Sequence, residues 1–380
     1  MNENNPLLVL ESFGQSIWLD YLQRSALENG QFKQWITQDG VSGLTSNPSI
    51  FEKAIAGSHD YDDAIQAMAQ EGKSVAEIYQ ALTIEDIQHA ADLFRPTYDR
   101  LNGGDGFVSL EVSPKLAHDT AGTIAEARQL WSAVNRPNLF IKIPGTREGL
   151  PAIQQMISEG VNINVTLLFG LPRYREVADA YLTGLETLAA SGKPLEQVAS
   201  VASFFLSRID VLVDPLLEKL RSDTNPAIAN PAALKGRVAI ASAKAAYHMY
   251  KEIFSEERYR LLGQKGARPQ RLLWASTGTK NPGYSDVMYV ESLIGGQTIN
   301  TLPVETLDAY RDHGQPASSL EADTLEAYSV LKELGLLRID LDVLTQQLED
   351  EGVAKFNTAF DQLMSALSEK RAASVQKMPD

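Results

Sequence analysis

The chain has 380 residues and no cysteine, and 34 Lys+Arg against 49 Asp+Glu give a formal net charge of −15. At about 150 residues per domain this length suggests two or three domains, although α/β barrels run past about 250 residues as one unit. The acidic balance argues against nucleic acid and anionic membranes as partners, and the missing thiol excludes disulfides, cysteine nucleophiles and cysteine-based metal sites. The start, Met1 to Pro6, has no positive n-region, and no apolar stretch approaches the about 18 residues of a membrane span. A soluble, cytoplasmic protein is expected.

Eight short apolar runs, around residues 16–20, 41–47, 106–112, 139–143, 161–168, 198–205, 271–276 and 297–302, are expected to be strands. Helical periodicity lies between them. Over 120–134, Ile124, Ala127, Trp131 and Val134 share a face, with Asp119 or Thr120 as cap, and 172–190 opens on Pro172 in its first turn. Alternation of strand and helix implies a parallel sheet, and eight such units imply one closed (β/α)8 TIM barrel. About 130 residues exceed a barrel of that kind. They fall at about 50–105, 206–270 and 303–380, all helical in pattern. Asn225-Pro226 and Asn230-Pro231 punctuate the second stretch. The third is a C-terminal extension whose part from Thr324 to Met378 is expected to form two or three helices, as a covering layer or as the interface of a homodimer. Asn102-Gly103-Gly104-Asp105-Gly106 has the composition of a loop into the third strand.

Barrel strands are buried on both faces and should be nearly all apolar. Here the exceptions collect toward the C-terminal ends. Strand one ends in Asp20, strand two in Thr45-Ser46-Asn47, and strand three carries Ser109 and Glu111. Strand four reads Leu139-Phe140-Ile141-Lys142-Ile143-Pro144. Strand five alternates Asn162, Asn164 and Thr166 with aliphatics, and strand six shows Ser203 and Phe205 on one face with Arg208 just beyond. The outer face packs on helices, so the polar face points into the barrel, whose C-terminal mouth is where barrel enzymes do chemistry. Lys142 is the lysine placed inside an apolar strand. A buried amine sheds hydration, which favours the neutral nucleophile that attacks a carbonyl. With Asp20 and Glu111 at other strand ends, the set fits a Schiff-base lysine with acid/base partners. Each residue also has a plainer account. Lys142 could snorkel from an edge strand, Glu111 could be only its ion-pair partner, and Asp20 could cap the next helix. Asn164 and Thr166 could be polar core filling, Phe205 ordinary core, and Asn47-Pro48 a turn. These accounts weaken together, because one mouth collects every exception.

Gly43-Leu44-Thr45-Ser46-Asn47-Pro48-Ser49-Ile50 resembles the Thr-Ser/Thr-Asn-Pro signature of transaldolases. Ile141-Lys142-Ile143-Pro144-Gly145-Thr146, followed by Glu148-Gly149-Leu150, resembles their Schiff-base lysine signature. The run from Asn162 to Phe169 is similar to the family's strand-five motif, and that from Ser203 to Asp210 to its strand-six motif. The resemblance spans about Ser16 to Leu307. It implies a class I aldolase-type barrel without metal or cofactor. Such an enzyme moves a dihydroxyacetone unit from sedoheptulose 7-phosphate (or fructose 6-phosphate) to glyceraldehyde 3-phosphate (or erythrose 4-phosphate), in the non-oxidative pentose phosphate pathway.

The resemblance also implies roles. Lys142 forms the imine with C2 of the donor. Asp20 takes and returns the proton of the C4 hydroxyl, and Glu111 acts through a water held by Thr166. Asn47 and Asn164 hold the hydroxyls and the enamine, and Ser203 contacts the dihydroxyacetone part. Arg208 matches the family's phosphate arginine. After strand seven the short transaldolases carry a second arginine soon after a serine, whereas this chain offers Ser276 and Lys280 in a longer loop, as the longer bacterial branch does. The gap from Asp20 to Asn47 is wider than in the short enzymes, so Asp20 is assigned from Trp18-Leu19-Asp20 ending strand one. Phe205 stands where the related fructose-6-phosphate aldolases have an aromatic hydroxyl. Two rivals follow: an aldolase that releases free dihydroxyacetone, and a catalytically dead barrel that binds sugar phosphates. His59, His89, His118, His248 and His313 show no metal-ligand spacing, and no phosphate-binding glycine loop for a nucleotide is present.

Overall fold

The computed structural model describes residues 5–220 and 230–376. Eight parallel strands, β1 (Gln15–Asp20), β2 (Val41–Thr45), β3 (Val108–Glu111), β4 (Leu139–Pro144), β5 (Ile163–Leu168), β6 (Ser200–Phe205), β7 (Arg271–Ala275) and β8 (Thr298–Leu302), close in sequence order into a barrel. β8 pairs back onto β1. Every expected strand is present, with ends within two residues of expectation. The helix Thr120–Val134 starts on Asp119, whose carboxylate accepts from the Gly122 N–H at 3.0 Å, and Leu171–Ala190 carries Pro172 in its first turn.

The barrel is plugged at its N-terminal end. Phe107 stacks on Phe140 with ring centroids 4.3 Å apart, and Trp18 lies 6.1 Å from Phe140. The Trp18 indole N–H donates to Asp105 at 2.7 Å, which ties β1 to the Asn102–Gly106 loop. Gly43 makes room for this indole: a Cβ there would overlap the Trp18 ring.

The expected surplus segments hold helices. Between β2 and β3 come Pro48–Phe51, a wide π-helical turn Glu52–Ala56, Asp62–Gln70 and Val75–Arg100. Ser74 and Glu77 cap the last reciprocally. Ser207–Leu220, Pro231–Leu234, Val238–Ile253 and Glu257–Gly263 lie between β6 and β7. Asn230 caps Pro231–Leu234, whereas Asn225-Pro226 lies outside the described residues, as do Met1 to Asn4 and Met378. Past β8 come Val304–His313, Thr324–Leu336 and the long helix Leu341–Gln376. This C-terminal helix packs on the helices that follow β2 and on β5, so it lies across one side of the barrel mouth. It is fastened by Arg173 to Glu349 (3.2 Å), Lys115 to Asp361 (2.7 Å) and Lys370 to Asp62 (2.6 Å). Among the described residues no helix is long and apolar enough to cross a membrane.

Candidate active site

A cavity of about 1320 Å³ opens at the C-terminal ends of the strands. Its lining includes Asp20, Asn47, Lys142, Thr166, Ser203, Phe205, Arg208, Ser276 and Lys280. Glu111 and Asn164 are not on its wall but lie beneath it, 6% and 0% exposed. Register explains the grouping. Glu111 pairs with Lys142 and Lys142 with Asn164 across three adjacent strands, so these side chains share one layer.

Lys142 is 4% exposed, and a closed barrel has no edge from which it could snorkel. Its Nζ donates to the backbone carbonyl of Ser46 at 2.9 Å and lies 3.4 Å from Glu111 Oε2. Burial pushes the Glu111 carboxyl above the ordinary glutamate range, against the pull of Lys142 and with a further push from Asp20. Both Glu111 oxygens and the Thr166 hydroxyl are buried without a hydrogen-bond partner among the described residues. Glu111 Oε2 faces the Lys142 ammonium, which leaves Glu111 Oε1 and the Thr166 hydroxyl with bonding capacity that the described protein groups do not use. Thr166 stands just before Leu167, a left-handed residue (φ 55°) where the β5–β6 register shifts. Strain of this kind persists where the surroundings enforce it.

Asp20 does not cap a helix, since the next one starts at Arg24 after Gln23. Its Oδ1 accepts from Thr45 Oγ1 at 2.9 Å, and Thr45 is 2.9 Å from the Thr301 hydroxyl. Burial raises the Asp20 carboxyl above the aspartate range, opposed by Lys142, the Thr45 hydrogen bond, Lys280 and Arg208. Asn47 does two jobs in one turn. Its side-chain oxygen accepts from the Ile50 N–H at 3.0 Å and caps Pro48–Phe51, while its amide nitrogen remains for the cavity. Asn164 is committed to its neighbours: it donates to Ser109 Oγ at 3.0 Å and accepts from Ser203 Oγ at 2.7 Å, so it orients Ser203 from below. Phe205 is 7% exposed, with its ring 5.1 Å from that of Phe169.

Arg208 lies in the first turn of Ser207–Leu220, with its guanidinium carbon 5.7 Å from the centre of the Phe205 ring. Burial pushes Arg208 below its ordinary value, while Asp20 and Glu351 pull it up. Ser276 is left-handed (φ 56°), and its hydroxyl is 2.9 Å from that of Ser207, which couples the ends of β6 and β7. Lys280 reaches the same cavity from the loop after β7. Other residues of the Lys142 and Ser203–Asp210 motifs are structural. Thr146 Oγ1 donates to Ala117 O (2.6 Å) and accepts from Gly149 N–H (3.0 Å), and a Cβ on Gly149 would overlap the Pro144 carbonyl. Asp210 accepts from Ala239 N–H (2.9 Å) and Tyr289 Oη (2.8 Å) and is not among the cavity-lining residues.

Residues 17–367 match the family described as Transaldolase/Fructose-6-phosphate aldolase. The chain belongs to that family. It is 50% identical over 371 residues to a protein named Transaldolase from Trichodesmium erythraeum, covering 96% of this chain and 97% of the relative. It is 48% identical to Transaldolase 2 of Nostoc punctiforme (96% and 97% covered) and to a Transaldolase of Thiobacillus denitrificans (93% and 97%). The transaldolase/aldolase match runs well past Leu307, where the resemblance in sequence ends, and into the C-terminal helix.

Several cavity residues escape motif reading. Thr45 sits inside the Asn47 signature, but only the fold shows that it bonds Asp20. Thr301 belongs to β8 and lines the cavity, but its parity is opposite to that of Thr298 and Asn300, so the polar pattern of that strand does not mark it. Lys53 and Lys355 also line the cavity, one from the π-helical turn and one from the C-terminal helix. No local pattern distinguishes them from surface lysines.

Proposed function

We propose that this chain is a transaldolase whose covalent step is carried by Lys142. The observation that carries the reading is the cavity itself: one buried strand amine, one carboxylate with a raised pKa and several cations without a carboxylate ion-pair partner among the described residues face a common space. The Lys142 amine adds to C2 of the ketose phosphate and water leaves, forming the imine. The Asp20 carboxylate takes the C4 hydroxyl proton as the C3–C4 bond breaks, and its electrons pass into the imine, leaving an enamine and a free aldose phosphate. The acceptor aldehyde then adds at C3, Asp20 returns the proton to the new hydroxyl, and water releases the ketose. A carboxyl lifted toward neutrality suits that shuttle.

Glu111 and Thr166 serve the imine-forming and imine-breaking steps. Glu111 Oε1 and the Thr166 hydroxyl, which have no hydrogen-bond partner among the described residues, suit a water that carries protons to and from the C2 oxygen. Asn47 and Ser203 orient hydroxyls, with Asn164 holding Ser203. Arg208, Ser276 and Lys280 take the phosphate. Small sugar phosphates and a thiol-free chain suit a cytoplasmic enzyme. Phe205 offers no hydroxyl to a water near the enamine, which favours transfer over release of free dihydroxyacetone. To test the reading, the protein is incubated with fructose 6-phosphate, reduced with borohydride and mapped by mass spectrometry. In a separate, unreduced sample erythrose 4-phosphate is added with fructose 6-phosphate, and formation of sedoheptulose 7-phosphate and glyceraldehyde 3-phosphate is followed. An adduct at any residue other than Lys142, or none, sinks the mechanism.

A further inference from the structure

We propose that Lys355, delivered by the C-terminal helix Leu341–Gln376, is a substrate-phosphate ligand, and that with Lys53 it completes a four-cation cradle around Arg208 and Lys280. The proposal rests on the transaldolase reading for the identity of the substrate, though not for the binding of phosphate itself.

Four observations converge. First, Lys53, Arg208, Lys280 and Lys355 all line the one cavity that holds Lys142. Second, none of the four makes an ion pair with a carboxylate among the described residues, although the chain carries 49 acidic residues against 34 basic ones. In so acidic a protein, unpaired cations gathered at one place oppose the overall balance, and their mutual repulsion costs stability that a bound dianion removes. The repulsion is visible at Lys355: Arg208, ahead of burial, Lys280 and Lys53, holds its ammonium below the ordinary lysine value.

Third, the position of Lys355 is enforced. Glu349 and Asp361 are tied to Arg173 and Lys115 on either side of it, and Lys370 to Asp62 further on. Between Lys355 and the first of these ties, Gly352 lies directly on Leu167 beside Thr166: a Cβ there would come within 2.9 Å of Leu167 Cδ2. The helix is thus seated against the catalytic strand. Thr358 and Gln362, one and two turns on, face the same cavity. Fourth, the one carboxylate that α-helical spacing puts next to Lys355, Glu351, pulls on Arg208 electrostatically but forms no ion pair with it. The cluster therefore stays open to a ligand.

The composition of the cradle bears on specificity. One planar guanidinium and three flexible ammonium groups bind phosphate as a ring of point charges rather than a fixed fork. Such a ring can follow a phosphate whose distance from Lys142 varies between six- and seven-carbon donors. The C-terminal extension then belongs to the substrate site instead of being a passive cover.

The test compares the unaltered protein with Lys355→Ala and Lys355→Arg. Transfer from fructose 6-phosphate is measured to erythrose 4-phosphate and to unphosphorylated erythrose. Inorganic phosphate binding is measured separately by calorimetry. In Lys355→Ala the ratio of kcat/KM for the phosphorylated acceptor to that for the unphosphorylated one is expected to fall about three- to tenfold, and phosphate Kd to rise by a similar factor. Lys355→Arg should recover most of both. A Lys355→Ala protein with an unchanged acceptor ratio and unchanged phosphate affinity overturns the proposal. Equal losses on both acceptors also overturn it, because they show only a structural role. If the unaltered protein gives no borohydride adduct at Lys142, the transaldolase reading fails, and the phosphate calorimetry still decides the role of Lys355.

Discussion

Lys142 Nζ on β4 donates to the backbone carbonyl of Ser46 at 2.9 Å, so the residue just before Asn47 aims the amine across β3 into the mouth. Ser46 is itself held by its hydroxyl on Ser109 O at 2.7 Å. The two long motifs thus meet in space, one supplying the amine and the other its anchor. Lys142 is also the cation that offsets the buried carboxyls of Glu111 and Asp20. In Lys142→Met both carboxyls rise further. A raised carboxyl favours the fold only while protonated, and that contribution is lost as pH climbs through its folded-state pKa. The stability deficit of Lys142→Met should therefore widen from about pH 5 to about pH 8. Thermal denaturation across that range checks it, and a deficit independent of pH would show that Lys142 does not balance these acids.

Substitutions at Asp20 and Thr45 test proton transfer apart from imine formation. Asp20→Asn should still give the borohydride adduct with fructose 6-phosphate, while transfer falls by about 10²- to 10⁴-fold. Thr45→Val removes a hydrogen bond that lowers the Asp20 carboxyl. Its pKa then rises, and the acid limb of the kcat/KM profile should move to higher pH, since the base must be ionised to act. A limb that stays in place removes Asp20 from the proton step.

Phe205 lines the cavity with an edge that cannot hold a water by hydrogen bonding. Phe205→Tyr should raise release of dihydroxyacetone from fructose 6-phosphate relative to transfer. An unchanged ratio would mean that the aromatic edge does not decide between the two outcomes.

Lys280 reaches the cavity from the loop after β7. Lys280→Ala should raise KM for phosphorylated donors far more than it lowers kcat, because the contact is made in the ground state and the transition state alike. Steady-state kinetics with fructose 6-phosphate would show it, and an unchanged KM would take Lys280 out of the site.

Gly43 lies flat on the Trp18 indole, which is fully buried in the barrel plug. Gly43→Ala must displace that ring from its bond to Asp105 and should cost about 1–3 kcal/mol. Denaturant unfolding measures it. A loss under about 0.5 kcal/mol would mean that the plug yields without strain.

Most of the barrel was legible because its signals are local. Each strand is a short apolar run of period two, and the exceptions on β1 to β6 mark the inward-facing polar layer at the mouth. What was not legible depends on distance along the chain. Asp20 and Thr45 are 25 residues apart and become partners only through the β1–β2 register. Asn164 and Glu111 share the inward parity of the lining residues, yet they lie below the cavity wall, because depth in a closed barrel follows from strand stagger rather than from alternation.

The sequence alone determined the strand count, the closed parallel barrel and a lysine with carboxylates and amides at one end, because these follow from periodicity and from polar residues breaking an apolar pattern. The tertiary structure alone brought Lys53 and Lys355 to the cavity. Lys355 follows the last barrel strand by more than fifty residues and reaches the mouth only because the buried Arg173–Glu349 ion pair and Gly352 seat its helix against β5. A lysine on an amphipathic helix carries no mark of what it will face, since that depends on where the helix docks.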